Sequence, residues 1–321
     1  MGKSLSLQDQ DTTHTLTPQD VVDIAVNDYG RQDFYGLCSG GKDSVSVCHW
    51  FSTNYPELFK GILFCDTTIG IPDTRKFVEK LCKEQGWELH ISTPRIGAKY
   101  DKNGKCIKQG KPFTYREWVM EYGFPTQRAH RYIMGYLKYQ PMRNFIKEKS
   151  LHHGCLISGV RRKESKRRMK TVKGAVLKEG RLHFCQPFVD KTSPWVFDYL
   201  NSHDLHISPV YQTMHYSGDC LCGAYAKPEE INLLKGFYPD MAKKLADLEK
   251  ELAKSKNPNV QKYLHWGNNV GFDNLTNQET LEESLVCTDC MNDAEARNSD
   301  AECFVKELED IDDKLNTLST N

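Results

Sequence analysis

The chain has no surplus of charge of either sign: 43 Lys and Arg are balanced by 43 Asp and Glu over 321 residues. That balance excludes a global field drawing the protein to nucleic acid or to a membrane, so any such affinity must come from a local patch. No apolar run approaches the eighteen or more residues that span a bilayer, and the stretch from Met1 to Asp20 is polar, unlike a secretory signal. No internal repeat is evident. Cysteine is not lacking, at 12 residues. Without a secretory signal, these spread cysteines point to reduced thiols and a metal site and argue against a disulfide framework. The expectation is a cytoplasmic enzyme without membrane contact, built as one large domain or one domain with an appendage.

What is present is a phosphate-holding pattern. Ser39-Gly40-Gly41-Lys42-Asp43-Ser44 follows a short apolar run ending at Cys38 and precedes Val45 to Phe51, which reads as the start of a helix. A strand, a glycine turn and a helix N-terminus gather backbone N–H groups and the positive end of a helix dipole at one point. Lys42 adds a mobile cation. Gly36 to Lys42 also fits the beginning of G-x-x-x-x-G-K, but Asp43 stands where that loop needs Ser or Thr for magnesium. A glycine turn with no ligand is the bland alternative.

The rest of the chain alternates. Thr17-Pro18-Gln19-Asp20 predicts a helix start with Thr17 as N-cap and a stop at Gly30. Strands are expected at 34–38, 61–65, 87–91, 155–159 and, shorter, 184–188, with a helix from Thr74 closed by Gly86. This order predicts an α/β fold with a parallel sheet and right-handed crossovers, ligands lying at the carboxyl ends of strands. Residues 96–127 read as an insertion or lid, and 128–150 as a helix broken at Pro141. Ser193 is expected to cap a later helix. The divisions are 1–16 as a disordered N-terminus, 17–225 as the main domain, 226–292 as a helical extension and 293–321 as an acidic tail.

Several side chains fall on the rim of the phosphate turn. Asp66 closes the second strand, where a carboxylate serves a ribose hydroxyl, a magnesium ion or an ordinary turn. Asp43 either assists magnesium or pins the loop by accepting backbone N–H bonds. Gly159 ends the fourth strand and opens a run to Lys170 in which seven residues from Arg161 onward are basic. Such runs are usually solvated helix faces. Arg161 and Arg162 lie nearest the rim and are assigned to phosphate, which guanidinium forks match bidentately. Lys166 to Lys173 face either a polyanion or water. Cys220-Leu221-Cys222 and Cys287-Thr288-Asp289-Cys290 have the form of a tetrathiolate site for Zn2+ or an iron–sulfur cluster, unless they are unrelated thiols.

The order of Ser39–Ser44, Phe64-Cys65-Asp66-Thr67, Ile71-Pro72-Asp73-Thr74 and Ser158-Gly159-Val160-Arg161-Arg162 resembles the PAPS reductase family of PP-loop ATP pyrophosphatases. Gly123-Phe124-Pro125, Leu137-Lys138 with Pro141, and Trp195 through Tyr211 are similar to the family's later regions. The resemblance covers about residues 30–225. It implies a five-stranded parallel sheet of the HUP type flanked by helices, with an adenine nucleotide over the loop; the cysteine-bearing C-terminal helical extension lies beyond it. Two features depart from it. Arg131 is followed by Tyr132-Ile133 and not by a cysteine pair, and Glu302-Cys303-Phe304 only partly matches the family's terminal Glu-Cys-Gly-Leu-His.

Cluster-bearing relatives ligate near the position of Cys220, which implies [4Fe–4S] over zinc. The expected activity is cleavage of ATP to an adenylate and pyrophosphate to activate an acceptor for sulfur incorporation. Lys42, Asp43, Arg161 and Arg162 are the catalytic set, and Ser39 to Ser44, Asp66 and Gly159 bind the nucleotide with Mg2+. DNA phosphorothioation and tRNA thiolation enzymes are relatives that combine this fold with cluster cysteines; the DNA phosphorothioation type is preferred, with a DNA or tRNA acceptor and a sulfur donor such as a cysteine desulfurase. The rival activities are sulfonucleotide reduction and a non-enzymatic, nucleotide-holding cluster subunit.

Overall fold

Alternating side chains bury the central strands on both faces. The computed structural model describes residues 16–269, apart from 97–98, 101–105, 109, 165–171, 173 and 259. In chain order the strands are β1 (Asp33–Gly36), β2 (Phe59–Cys65), β3 (Leu89–Ser92), β4 (Arg95–Ile96), β5 (Lys99–Tyr100), β6 (Cys106–Lys108), β7 (Lys111–Pro112), β8 (Gly154–Ile157), β9 (Val176–Glu179) and β10 (Leu182–Cys185). Phe34, Ile62, Phe64, Cys155 and Ile157 point into one core. Tyr35, Leu63, Cys65 and Leu156 point into another, against Met142, Phe145 and Ile146. Burial on both faces is why these strands read as near-continuous apolar runs.

The sheet has six strands in the order β3-β2-β1-β8-β10-β9. Five are parallel, as expected, and β9 adds an antiparallel edge through its pairing with β10. The five-stranded expectation is corrected by this edge strand. Its half-exposed residues carry no apolar run, and β9 and β10 are joined by a turn with Gly180 at φ 63. From β1 the chain moves outward to β2 and β3, whereas β8 leads the other way. Connections therefore diverge between the carboxyl ends of β1 and β8, the place where such sheets hold ligands.

Local signals hold for several helices. α1 (Pro18–Asp23) is capped by Thr17, whose hydroxyl accepts from the Asp20 N–H at 3.1 Å, and it continues as a π turn to Asp28. α2 (Lys42–Asn54) follows the phosphate turn, and α3 (Pro72–Gln85) closes at Gly86 with φ 69. The insertion contains α4 (Tyr115–Tyr122) and two two-stranded sheets, β4 with β7 and β5 with β6. The next helical stretch is α5 (His130–Met134), a π turn Gly135–Tyr139, and α6 (Gln140–Glu148). The expected break at Pro141 is thus corrected. The chain stays helical through Pro141, and the irregularity is the π turn that ends at Tyr139, just before it. Thr192, not Ser193, caps the helix Ser193–Ser202, its hydroxyl accepting from the Trp195 N–H.

A third core joins the insertion to the C-terminal part. Tyr115, Trp118 and Val119 of α4 pack with Leu221, Leu245 and Trp266, so the helices Pro228–Phe237 and Pro239–Leu252 share the insertion's core. Among the described residues no helix is long and apolar enough to cross a membrane. Residues 1–15 and 270–321, with Cys287, Cys290 and Cys303, lie outside the described residues, as do Lys166, Arg167, Arg168, Lys170 and Lys173.

Candidate active site

The turn Ser39–Gly41 leads straight into α2. Gly40 has φ +80, a conformation that favours glycine, and Gly41 caps the helix without a side-chain hydrogen bond to its first-turn N–H groups. Ser44 ties the turn back on itself: its hydroxyl donates to the Gly41 carbonyl at 2.9 Å and accepts from the Ser39 N–H at 3.2 Å. The amides at the start of α2 thus face a rigid turn at the positive end of a thirteen-residue helix. Gly159 brings the loop after β8 against this turn. A Cβ there would stand 2.7 Å from the Asp43 backbone carbonyl, so only glycine permits the approach.

Buried charges fix the turn from behind. Asp43 accepts from the Lys42 ammonium at 3.2 Å on one carboxylate oxygen and from Arg161 Nε at 2.6 Å on the other. Arg161 is fully buried and also donates to the Lys191 carbonyl at 3.1 Å and the Ser193 hydroxyl at 2.9 Å. Burial raises the Asp43 carboxyl, but Lys42 and Arg161 outweigh it and hold the group below its ordinary value. Lys42 is only 5% exposed, donates to Tyr211 Oη at 2.9 Å, and sits 5.2 Å from the Tyr211 ring centroid. Burial pulls its ammonium down, but Asp43 and Tyr211 reverse this and the net displacement is upward.

These contacts correct four expectations. Lys42 is not the mobile cation expected of the loop, because Tyr211 and Phe197 close over it. Asp43 pins the loop through two cations and not through backbone N–H groups. Arg161 is committed to the protein interior, and Arg162 pairs with Asp190, so neither lines the cavity. Asp66 does not line it either: its oxygens accept from the Thr68 N–H and from Arg75.

A cavity of about 390 Å3 opens over the turn. Ser39, Gly41, Lys42, Asp43 and Ser44 of the turn line it, together with Gly159 of the loop after β8. Lys138, Tyr211, His215, Ser217 and Asp219 line it too, and composition alone did not single these out as site residues. The signal available was order, because Lys138 and Tyr211 stand inside stretches already noted for their resemblance. Lys138 projects from the π turn and donates to Asp219 at 2.5 Å, while Ser217 donates to the other Asp219 oxygen at 2.8 Å. The Lys138 ammonium is pulled down by burial, and Asp219 raises it above its ordinary value. Cys65 also lines the cavity, and burial pushes its thiol up to about 12, which keeps it an inert neutral thiol.

The cysteine pair lies beside this cavity. Cys220 follows Asp219, and Cys222 is buried in the third core. A hydrogen bond between the two thiols raises Cys220 and lowers Cys222. They supply half of the expected ligand set. Among the described residues no group of three or more His, Cys, Asp or Glu is arranged to hold a metal. A larger cleft of about 540 Å3 lies between α4 and Pro239–Leu252, away from the turn. Its cations are engaged, Arg116 by Glu251, Lys243 by Asp247 and Lys244 by the Thr68 carbonyl.

Comparison with known proteins places this geometry in context. The family described as "Phosphoadenosine phosphosulfate reductase domain" matches residues 34–224. Proteins named phosphoadenosine 5'-phosphosulfate reductase from Xanthomonas oryzae pv. oryzae and Xanthomonas euvesicatoria pv. vesicatoria are each 25% identical over 191 residues, 59% of this chain and 70% of theirs. The crystal structure of phosphoadenylyl-sulfate reductase from Candida auris, a phosphate complex, aligns with TM-score 0.44 and 18% identity over 65% of this chain and 93% of that one.

Proposed function

Because this chain belongs to the phosphoadenosine phosphosulfate reductase domain family, we propose that the Lys42 cavity takes the phosphate chain of an adenine nucleotide for sulfur chemistry. In the favoured reading the nucleotide is ATP. An acceptor oxygen attacks the α-phosphorus, the bond to the bridging oxygen breaks, and pyrophosphate leaves with that electron pair. A sulfur nucleophile then displaces AMP from the activated acceptor. The supporting observation is the turn itself: free first-turn amides of α2 and a buried cation face one cavity. Groups already oriented toward developing charge need no reorganisation during reaction. Arg161 acts through Asp43, holding the carboxylate that in turn holds Lys42.

Mg2+ would share the charge of the phosphates. Each Asp43 oxygen already meets a cation, so the ion would be held chiefly by phosphate oxygens and water. The acceptor we propose is DNA or tRNA, on the strength of the basic run Lys166–Lys170, with a sulfur donor such as a cysteine desulfurase. Sulfonucleotide reduction is the second reading, favoured by the names of the Xanthomonas relatives. The two separate in one assay. Purified protein incubated with ATP should release pyrophosphate, and incubated with PAPS and a thiol reductant should release no sulfite. Sulfite without pyrophosphate would reverse the choice. Tight ATP binding with neither product would leave a nucleotide-holding subunit.

Cys220 and Cys222, with Cys287 and Cys290, are proposed to hold a [4Fe–4S] cluster, which supplies electron transfer or a sulfur-binding iron. Anaerobically purified protein should be brown and contain iron and acid-labile sulfide, and Cys220→Ser should bleach it. Stoichiometric zinc in place of iron would make the site structural. Colourless protein free of both metals would leave these residues as ordinary thiols.

A further inference from the structure

The segment after Ser208 is folded onto the phosphate turn. The Ser208 N–H donates to the Gly40 carbonyl at 2.8 Å. A Cβ on Gly41 would meet Ser217 Cβ at 3.5 Å and Tyr211 Cδ2 at 3.7 Å. Between Tyr211 and Ser217, the short helix Pro209–Met214 ends at His215. His215 is its C-cap, with φ 58 and ψ 14 and its N–H donating to the Tyr211 carbonyl at 3.0 Å.

That backbone position calls for glycine or asparagine. A Cβ in the left-handed region clashes with the following carbonyl, and helices ending this way usually place Gly there. Four described residues other than glycine have positive φ: Thr68, Ser150, Asp204 and His215. Of these, His215 is the one that lines the cavity over the phosphate turn. The chain thus forgoes the unstrained residue at a position that lines the ligand space. Backbone strain kept at a binding site is a reason to look for a role of the side chain.

We propose that His215 is a ligand-contacting residue whose imidazole donates a hydrogen bond to a phosphate oxygen of the bound nucleotide. The inference rests on the nucleotide reading above. Tyr211, one helical turn earlier, holds Lys42, so a single short helix would place both the cation and a directional donor on the phosphate chain. A donor facing an anion in a half-buried site forms a stronger bond than the same pair in water.

Glycine is a discriminating substitution, because it relieves the backbone while removing the ring. Titration calorimetry with ATP, inorganic pyrophosphate and adenosine should be run on wild type, His215→Gly, His215→Asn and Lys42→Met, alongside thermal melting. His215→Gly should bind ATP and pyrophosphate roughly 10-fold more weakly, the order expected for a hydrogen bond to a charged group. Its affinity for adenosine should not change, and its melting temperature should stay equal or rise. His215→Asn, which tolerates the left-handed backbone and keeps a donor, should recover most of the loss. The proposal is overturned if the Gly variant binds all three probes like wild type, since His215 is then only a helix cap. Equal weakening for adenosine, or a lower melting temperature, would also overturn it by making the effect structural. Loss of ATP binding in Lys42→Met alone would leave the nucleotide reading standing while this one fails. A wild-type protein that binds neither ATP nor pyrophosphate would remove both.

Discussion

Arg161→Met should destabilise the protein by about 3–5 kcal/mol, the usual consequence of removing one partner from a buried ion pair. Arg161 is 0% exposed and serves three acceptors from two segments: Asp43 on α2, and the Lys191 carbonyl and Ser193 hydroxyl at the start of the later helix. Methionine fills much of the volume but leaves these acceptors buried with fewer donors. Urea unfolding monitored by tryptophan fluorescence should give a lower midpoint with a nearly unchanged slope. Arg161→Lys should recover only part of the loss, because a point ammonium cannot reproduce a planar fork meeting three acceptors. Acid should expose the same defect. Asp43 is held below its ordinary value, so its contribution is present above the ordinary carboxylate range and is lost as pH falls through the folded value. Without Arg161 that folded value rises, and acid unfolding should begin at a higher pH than in wild type. A Met variant with wild-type midpoints in both urea and acid would refute the anchoring role.

Lys42→Met should lower turnover by roughly 10²–10³-fold, the scale seen when one oriented donor to developing negative charge is removed. The choice of methionine matters. The Lys42 side chain packs between Phe197 and Tyr211, and an apolar chain of similar length keeps that contact while deleting the ammonium. Asp43 retains Arg161, so the fold should survive with a smaller stability loss than in Arg161→Met. Tyr211→Phe provides the comparison: it removes the 2.9 Å bond to Lys42 but keeps the ring, and a loss well below that of Lys42→Met is expected. Pyrophosphate release and sulfite release should both be followed, since either chemistry depends on the same cation. A folded Lys42→Met protein with undiminished turnover would remove the catalytic assignment, whichever substrate is used.

Which parts of this were legible beforehand follows from the range of the forces involved. Thr17 as a cap, Gly86 as a helix stop and the strands at Phe34 and Ile62 depend on contacts a few residues apart, and the chain satisfies them as read. β9 was not legible, because an edge strand needs one partner and its residues are half-exposed. Proline predicts a break at 141, whereas the chain stays helical there and the π turn just before it carries Lys138 to the cavity. Nearness to the rim points the arginines after Gly159 at phosphate, but chain order does not say on which side of a loop a side chain falls. Arg161 turns inward to Asp43, across 118 positions.

The α/β class, the parallel sheet, the phosphate turn and its place at the carboxyl end of β1 can all be read from the chain alone. These follow from periodicity, glycine positions and the dipole of a helix start, all encoded within short windows. Which charges line the cavity depends on long-range packing. That packing buried Arg161 behind the turn, closed Tyr211 over Lys42, and brought Lys138, His215 and Asp219 from distant segments into one cavity. The physical reason is that a side chain's role depends on burial and on partners supplied by the whole fold. A buried cation must find an anion wherever packing places one, and in this chain that anion is Asp43.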